Sequence, residues 1–142
     1  MALIVDIADA VVTELNAGTF SQELTAARLY RPEFDLKEMA ALHVTVVPRG
    51  VEAVTVSRTS VQYDVSVDVA VQKKLSTETN AQIDPLMGLV EEIATFFRLR
   101  RLTAYPSASW LRTENEPVYS PGHLEELRQF TSVLTVTFRV VK

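Results

Sequence analysis

The amino-acid sequence predicts an α+β domain with about four strands in an antiparallel or mixed sheet, two helices on one face, and extended loop or hairpin arms. Residues 61–72 alternate between apolar and polar side chains, the period of a strand with one buried face. Residues 3–15 and 86–101 repeat apolar side chains every three or four positions, as amphipathic helices do. The predicted order is helix, strand, strand, arm, strand, helix, long loop and strand, which is typical of the α+β class.

The first helix is predicted at residues 3–15. Its apolar side chains form one stripe, and Glu14 lies outside that stripe. Asp6 and Asp9 lie near the start, where the helix dipole favours negative charge. The Asn-Ala-Gly sequence that ends at Gly18 provides a stop, because glycine readily adopts the left-handed conformation at a helix end.

Two strands are predicted before the central one. Residues 24–30 form the first, and Pro32 ends it because proline has no N–H to donate. A short helical turn is predicted at 34–40. Residues 42–47 form the second strand, which a Pro-Arg-Gly turn closes. Residues 51–60 alternate weakly and are expected to form a strand-like arm or hairpin.

The central strand has one apolar and one polar face without a break in register. Its odd positions, 61–71, hold five valines and a tyrosine, and its even positions hold glutamine, aspartate, serine and alanine. β-branched residues fit a pleated, half-buried surface. An antiparallel sheet that is covered on one side only suits such a strand.

The second helix is predicted to begin at Asp84 and Pro85, a capping side chain followed by proline at the first helical position. It ends near the arginines of residues 98–101. Residues 103–122 hold three of the six prolines and the only tryptophan, and are predicted to form an extended loop or long hairpin. The last strand is predicted at 130–141.

Composition indicates an ordinary globular domain. The chain has 142 residues, 47% hydrophobic and 23% charged, and we expect one domain over residues 1–142 with arms at 49–61 and 103–122. A net charge of −4 argues against a general nucleic-acid coat, which needs a basic surface. The absence of cysteine excludes disulfides, thiolate metal sites and cysteine nucleophiles. Without a signal peptide or an apolar run of about 20 residues, we expect a soluble protein with no membrane partner.

The residues form no catalytic or metal-binding motif, so we expect no enzyme activity, cofactor or metal. His43 and His123 lack other ligand residues at a metal spacing and are interpreted as surface histidines. Asp64 and Asp68 share the polar side of the central strand, and two such carboxylates can hold a divalent cation or divide acid and base roles. Their Cα atoms would lie about 13 Å apart along a strand, so a solvated or subunit-facing surface is the simpler interpretation.

Basic and aromatic clusters are candidates for contacts with other proteins. Arg98, Arg100 and Arg101 suit phosphates or an acidic partner, or they complement the helix dipole; Lys73 and Lys74 have the same two interpretations. Aromatic residues at 105, 110 and 119 mark either an interface or a loop that folds back on its own core. The candidate residues for a subunit or partner interface are Arg49, Val51, Val54, Arg58, Asp64, Asp68, Tyr105, Trp110 and Tyr119.

Several stretches, together with the order of elements, resemble the neck and tail-completion proteins of tailed bacteriophages, in particular the tail-terminator type. The stretches are IADAVVTELN at 7–16, LHVTVVP at 42–48, VAVQKKL at 69–75, LVEEIA at 89–94 and FTSVLTVTF at 130–138. The resemblance spans most of the chain.

The resemblance implies a structural virion subunit that forms a ring, commonly a hexamer, at the head-proximal end of a tail. Such a ring terminates the tail tube and contacts tube or sheath protein on one side and head-connector or neck proteins on the other. DNA passes through its lumen, and the subunit is assembled in the host cytoplasm. No catalytic residues belong to this role.

Other functions remain open at this point. A head-closure or other neck adaptor ring would have the same features. A small-ligand or nucleic-acid-binding module would use the polar face of the sheet, and a small metal-dependent enzyme would use Asp64, Asp68 and a histidine.

Overall fold

The computed structural model describes residues 2–31, 41–76 and 79–142, which form a five-stranded mixed sheet and three helices. The elements in chain order are α1 (Leu3–Ala17), β1 (Ala26–Arg28), β2 (His43–Thr55), β3 (Val61–Lys74), α2 (Asn80–Phe97), β4 (Ser109–Glu114), α3 (Pro121–Leu127) and β5 (Gln129–Val141). The strand order is β1-β2-β3-β5-β4, with β1 parallel to β2 and the other neighbours antiparallel. The predicted α+β class is confirmed, with one strand and one helix more than expected.

β3 lies at the centre of the sheet, as its alternating pattern predicts. Val65, Val67, Val69 and Val71 are fully buried. They belong to one core with residues of both long helices, among them Ile7, Val11, Leu89 and Ile93. Burial of each valine contributes about 1.5–3 kcal/mol, so this face of β3 holds the sheet and the two helices together.

The predicted turn at residues 48–50 is wrong, because β2 continues through it. Pro48 and Gly50 pair with consecutive residues of β3, and Arg49 between them is the extra residue of a β-bulge. Proline is tolerated here because β1 pairs with β2 only as far as Val46, which leaves Pro48 on an edge. β2 and β3 therefore form one long hairpin.

The second helix begins at Asn80, about one turn before the predicted start. Pro85 lies inside it, and the N–H that proline lacks would have bonded to the carbonyl of Ala81. Thr79 precedes the helix without a side-chain cap. At the other end the chain leaves the helix through Leu99, whose φ of 59° is left-handed.

The predicted left-handed stop at Gly18 is wrong, because Gly18 ends α1 in an extended conformation with a φ of −80°. Other elements differ in length from the prediction. The strand predicted at 24–30 is only three residues long, and the predicted turn at 34–40 lies outside the described residues. Within 103–122, six residues form the edge strand β4. α3 replaces the short turn predicted at 123–128, and the Ser120 hydroxyl accepts a hydrogen bond from the His123 N–H at its start. Among the described residues, no helix is both long and apolar enough to cross a membrane.

Candidate assembly interface

The hairpin of β2 and β3 extends past the core and ends in an exposed tip. We call residues 51–60 the hairpin arm. All but the last of these residues are exposed, and 48% of Val51, 46% of Val54 and 56% of Val56 remain accessible to water. Val51 pairs with Val65 and Val54 pairs with Gln62, and these two partners point to opposite faces of β3. Exposed valines therefore lie on both faces of the arm, where they are suited to contact with another protein.

The outer edge of the hairpin arm has no neighbouring strand within the described residues. Val61, which directly follows the arm and pairs with Thr55, exchanges both backbone hydrogen bonds with Lys142, so its backbone groups face β5 and not β2. Strand alternation then directs the N–H and C=O groups of Val51, Ala53 and Thr55 away from β3. Such an edge is a template for pairing with another chain unless it is covered.

The polar face at the base of the hairpin arm carries ion pairs between strands. Asp64 accepts hydrogen bonds from Arg139 Nε at 2.9 Å and Nη2 at 3.2 Å, and these bonds raise the pKa of Arg139. Asp68 accepts from the Thr135 hydroxyl at 2.7 Å and from Arg49 at 3.2 Å. Each carboxylate therefore has its own arginine, which removes the geometric basis for their binding one metal together. Across the described residues, no three histidine or acidic side chains converge as metal ligands.

The basic cluster at the end of α2 is divided between solvent and the interior. Arg98 and Arg101 are exposed. Arg100 turns back: its guanidinium carbon lies 3.9 Å from the ring centroid of Phe96, and its Nε donates to the Phe96 carbonyl at 2.8 Å. Arg100 therefore has a structural role. Arg98 and Arg101 are the members of the cluster whose side chains remain accessible to a partner.

Glu14, which the helical pattern places outside the apolar stripe, is only 4% exposed. Its carboxylate accepts hydrogen bonds from Arg100 Nη1 at 3.1 Å and from the Thr103 N–H at 2.5 Å. Burial alone would raise the pKa of Glu14, but hydrogen bonds from Thr103 and Arg100 outweigh it and lower the pKa. The sequence gives no signal of this contact, because its partners lie more than 80 residues away.

The aromatic residues of 103–122 pack against the chain's own core. Tyr105, Trp110 and Tyr119 are half-buried there, and Trp110 Nε1 donates to the Thr113 hydroxyl at 2.8 Å. The sequence allows this segment to be either an interface or a loop that folds back on its own core, and the second interpretation accounts for the positions of these three rings. The interface proposed below therefore does not include them.

The remaining predicted residues lie together on or beside the hairpin arm. Val51, Val54 and Arg58 belong to the arm itself. Arg49 and Asp64 line a cavity of about 270 Å³ at its base, with Glu52 and Arg112, and Asp68 pairs with Arg49 beside it. Sequence reasoning did not identify Arg112, because its strand β4 reaches this face only through pairing with β5.

Comparison with known proteins finds a distant structural similarity and no match of sequence. The sequence matches no protein-family model and no curated protein. Among solved structures, the chain is similar to the sheath/tube terminator, in the extended state, of PVC, an extracellular contractile injection system. The likeness covers all of this chain and 57% of that chain, with 16% sequence identity and a TM-score of 0.48. The chain thus spans a little over half the length of that terminator, and no function follows from a likeness of this size.

Proposed function

We propose that the protein is a structural subunit of the tail-terminator type, which forms a ring at the head-proximal end of a phage tail. The observation that carries the proposal is the hairpin arm, with three half-exposed valines and an open backbone edge. Exposed apolar area and unpaired edges are features that soluble proteins cover by association. The sequence resemblance to tail-completion proteins supports the same role.

A ring follows when the arm of one subunit contacts a different surface of the next. Such a contact is heterologous, and it closes when the rotation between neighbours divides a full turn. The proposed ring has six subunits, contacts tube or sheath protein on one side and head-connector or neck proteins on the other, and lets DNA pass through its lumen. A chain with a net charge of −4 suits a lumen along which DNA must slide, since a basic wall would retain it.

A head-closure or other neck adaptor ring would use the same arm, so position in the genome separates these roles. A terminator gene is expected between head-completion genes and the genes for the tube and sheath.

A nucleic-acid-binding module would need aromatic rings on the polar face of the sheet, against which bases could stack. The polar face between β2 and β5 offers paired aspartates and arginines instead, such as Asp64 with Arg139.

Assembly of the purified chain tests the proposal. Light scattering and negative-stain microscopy are expected to show rings, or subunits that form rings on the ends of tail tubes. The matched control replaces residues 55–61 with Asn-Gly, a two-residue turn that keeps the Val54–Gln62 pair. This variant should stay folded and lose ring formation. A wild-type chain that remains monomeric and leaves tube ends bare would refute the proposed function.

A further inference from the structure

We propose that the tip of the hairpin arm docks into an apolar groove with an acidic rim, on α2 of the neighbouring copy of this chain. The inference rests on the proposed function and specifies the contact that joins one subunit to the next. We call this groove the α2 groove.

The α2 groove lies between α2 and the segment that begins with β4, and has a volume of about 620 Å³. Its apolar lining consists of Met87, Val90, Ala94, Val118 and Leu134. Val118 is 45% exposed, and Met87 and Ala94 are half-buried. The groove therefore offers apolar area that the described residues of the same chain leave accessible to a partner.

The rim of the α2 groove is acidic. Asp84 and Glu91 line it, and both are exposed. An adjoining cavity of about 550 Å³, on the other side of Gly88, also contains Glu91, together with Glu92. No lysine, arginine or histidine is among the described residues that line either cavity. The local field therefore favours an occupant with a positive charge beside apolar side chains.

Gly88 lies in the middle of α2, where the two cavities meet. A Cβ atom at this position would have no heavy atom within 4 Å, so packing among the described residues does not require glycine. Glycine weakens a helix relative to alanine. Its presence here fits the close approach of another backbone to α2.

The tip of the hairpin arm has the chemistry that the α2 groove requires. Val54 and Val56 are about half exposed, and Arg58 is exposed beside them. The valines match the apolar lining, and Arg58 matches the acidic rim.

The tip cannot reach the groove of its own chain. Leu134, in the groove, lies about 27 Å along β5 from Lys142, at about 3.4 Å per residue. The turn at residues 56–60 lies further still, because Lys142 pairs with Val61, the first residue after that turn. The tip must therefore enter the groove of a second copy. This contact joins two different surfaces, as ring closure requires.

Disulfide cross-linking tests the contact directly, because the natural chain contains no cysteine. Val56→Cys and Met87→Cys chains are mixed, oxidised and separated without reductant, both alone and after addition to tail tubes. A mixed dimer is expected, at least about tenfold above the level given by Val56→Cys with Leu127→Cys. Leu127 is the control because it is exposed on α3, away from the groove lining.

Charge reversal provides a second measurement that does not depend on cysteine geometry. Arg58→Glu should raise the dissociation constant between subunits about tenfold. Glu91→Arg should do the same, and the two changes together should restore association. Both side chains are exposed, so neither single variant is expected to unfold.

The outcomes separate this contact from the proposed function. Rings that form without the mixed cross-link, or despite Arg58→Glu, would overturn the contact and leave the ring role intact. Dominant dimers of Val56→Cys with itself would also overturn it, because they indicate arm-to-arm pairing. A wild-type chain that neither self-associates nor joins tubes overturns both.

Discussion

Replacing Glu14 with glutamine tests how the end of α1 is fixed to the chain that follows α2. The Glu14 carboxylate is 4% exposed and holds both the Arg100 side chain and the Thr103 backbone. Glutamine has nearly the same shape and keeps one oxygen for the Thr103 N–H. It loses the negative charge and presents an amide to the guanidinium.

The expected loss follows from these contacts. A hydrogen bond to a charged group contributes about 1.5–3 kcal/mol. The Arg100 side chain is 39% exposed, so water solvates the released guanidinium and offsets part of the loss. Glu14→Gln should therefore lower the free energy of unfolding by about 1–2 kcal/mol at pH 7. Glu14→Ala also leaves the Thr103 N–H without an acceptor and should cost about 2–3 kcal/mol.

Urea unfolding between pH 7 and pH 3 measures the effect. The folded-state pKa of Glu14 is lowered from its ordinary value of 4.5, so the stabilisation is complete above that value. It is lost as the pH falls through the lower, folded pKa. The difference between wild type and Glu14→Gln should therefore shrink in acid. Glu125→Gln, at an exposed position of α3, is the control and should change stability by less than about 0.5 kcal/mol. Equal stability at pH 7, or a difference that does not shrink in acid, would show that the ionised Glu14 carboxylate does not stabilise the fold.

Three further predictions concern the core, α2 and the polar face. Val67→Asp buries a carboxylate in the fully enclosed core and should abolish the folded circular-dichroism spectrum, whereas Val54→Asp, on the exposed arm, should keep it. Gly88→Ala should raise the free energy of unfolding by about 0.5–1 kcal/mol in urea titrations, since its Cβ meets no heavy atom, yet weaken assembly in light scattering. Asn at both Asp64 and Asp68 should leave the chain folded, with about 1 kcal/mol or less lost per pair, and disturb assembly. Normal rings from this variant would exclude the polar face from the interface.

The elements predicted most accurately are those with an unbroken pattern. The alternation of residues 61–72 is reproduced in β3, which extends only two residues further, and the stripe of residues 3–15 is reproduced in α1. In both, one face is buried against the same core, so the physical cause of the pattern acts along the whole element.

The errors arise where tertiary contacts override local signals. Pro48 and Gly50 resemble a turn, but pairing with β3 carries the strand past them as a bulge. Asp84 and Pro85 resemble a helix start, but α2 begins one turn earlier, at Asn80, and Ile83 of that extra turn packs against the core. In the strand predicted at 24–30, Ala26–Arg28 are in register with β2, and the Leu29 N–H adds one hydrogen bond to the Val46 carbonyl.

The hairpin arm was predictable as a location, because its weak alternation and valines are visible in the sequence. The α2 groove, its proposed docking site, was not predictable from the sequence. The α2 groove combines Met87 of α2 with Val118 and Leu134, which the fold alone brings together. The buried pair of Glu14 and Arg100 was hidden for the same reason, since local periodicity carries no information about contacts between distant segments.

Electron microscopy of the protein mixed with tail tubes tests whether the protein is a ring-forming terminator. Rings of about 6 subunits are expected at one end of each tube, with the hairpin arm of each subunit against α2 of the next. The chain with residues 55–61 replaced by Asn-Gly should leave those ends bare. Bare ends with the wild-type chain, or binding along the sides of the tubes as separate monomers, would contradict the claim that the protein is a ring-forming terminator.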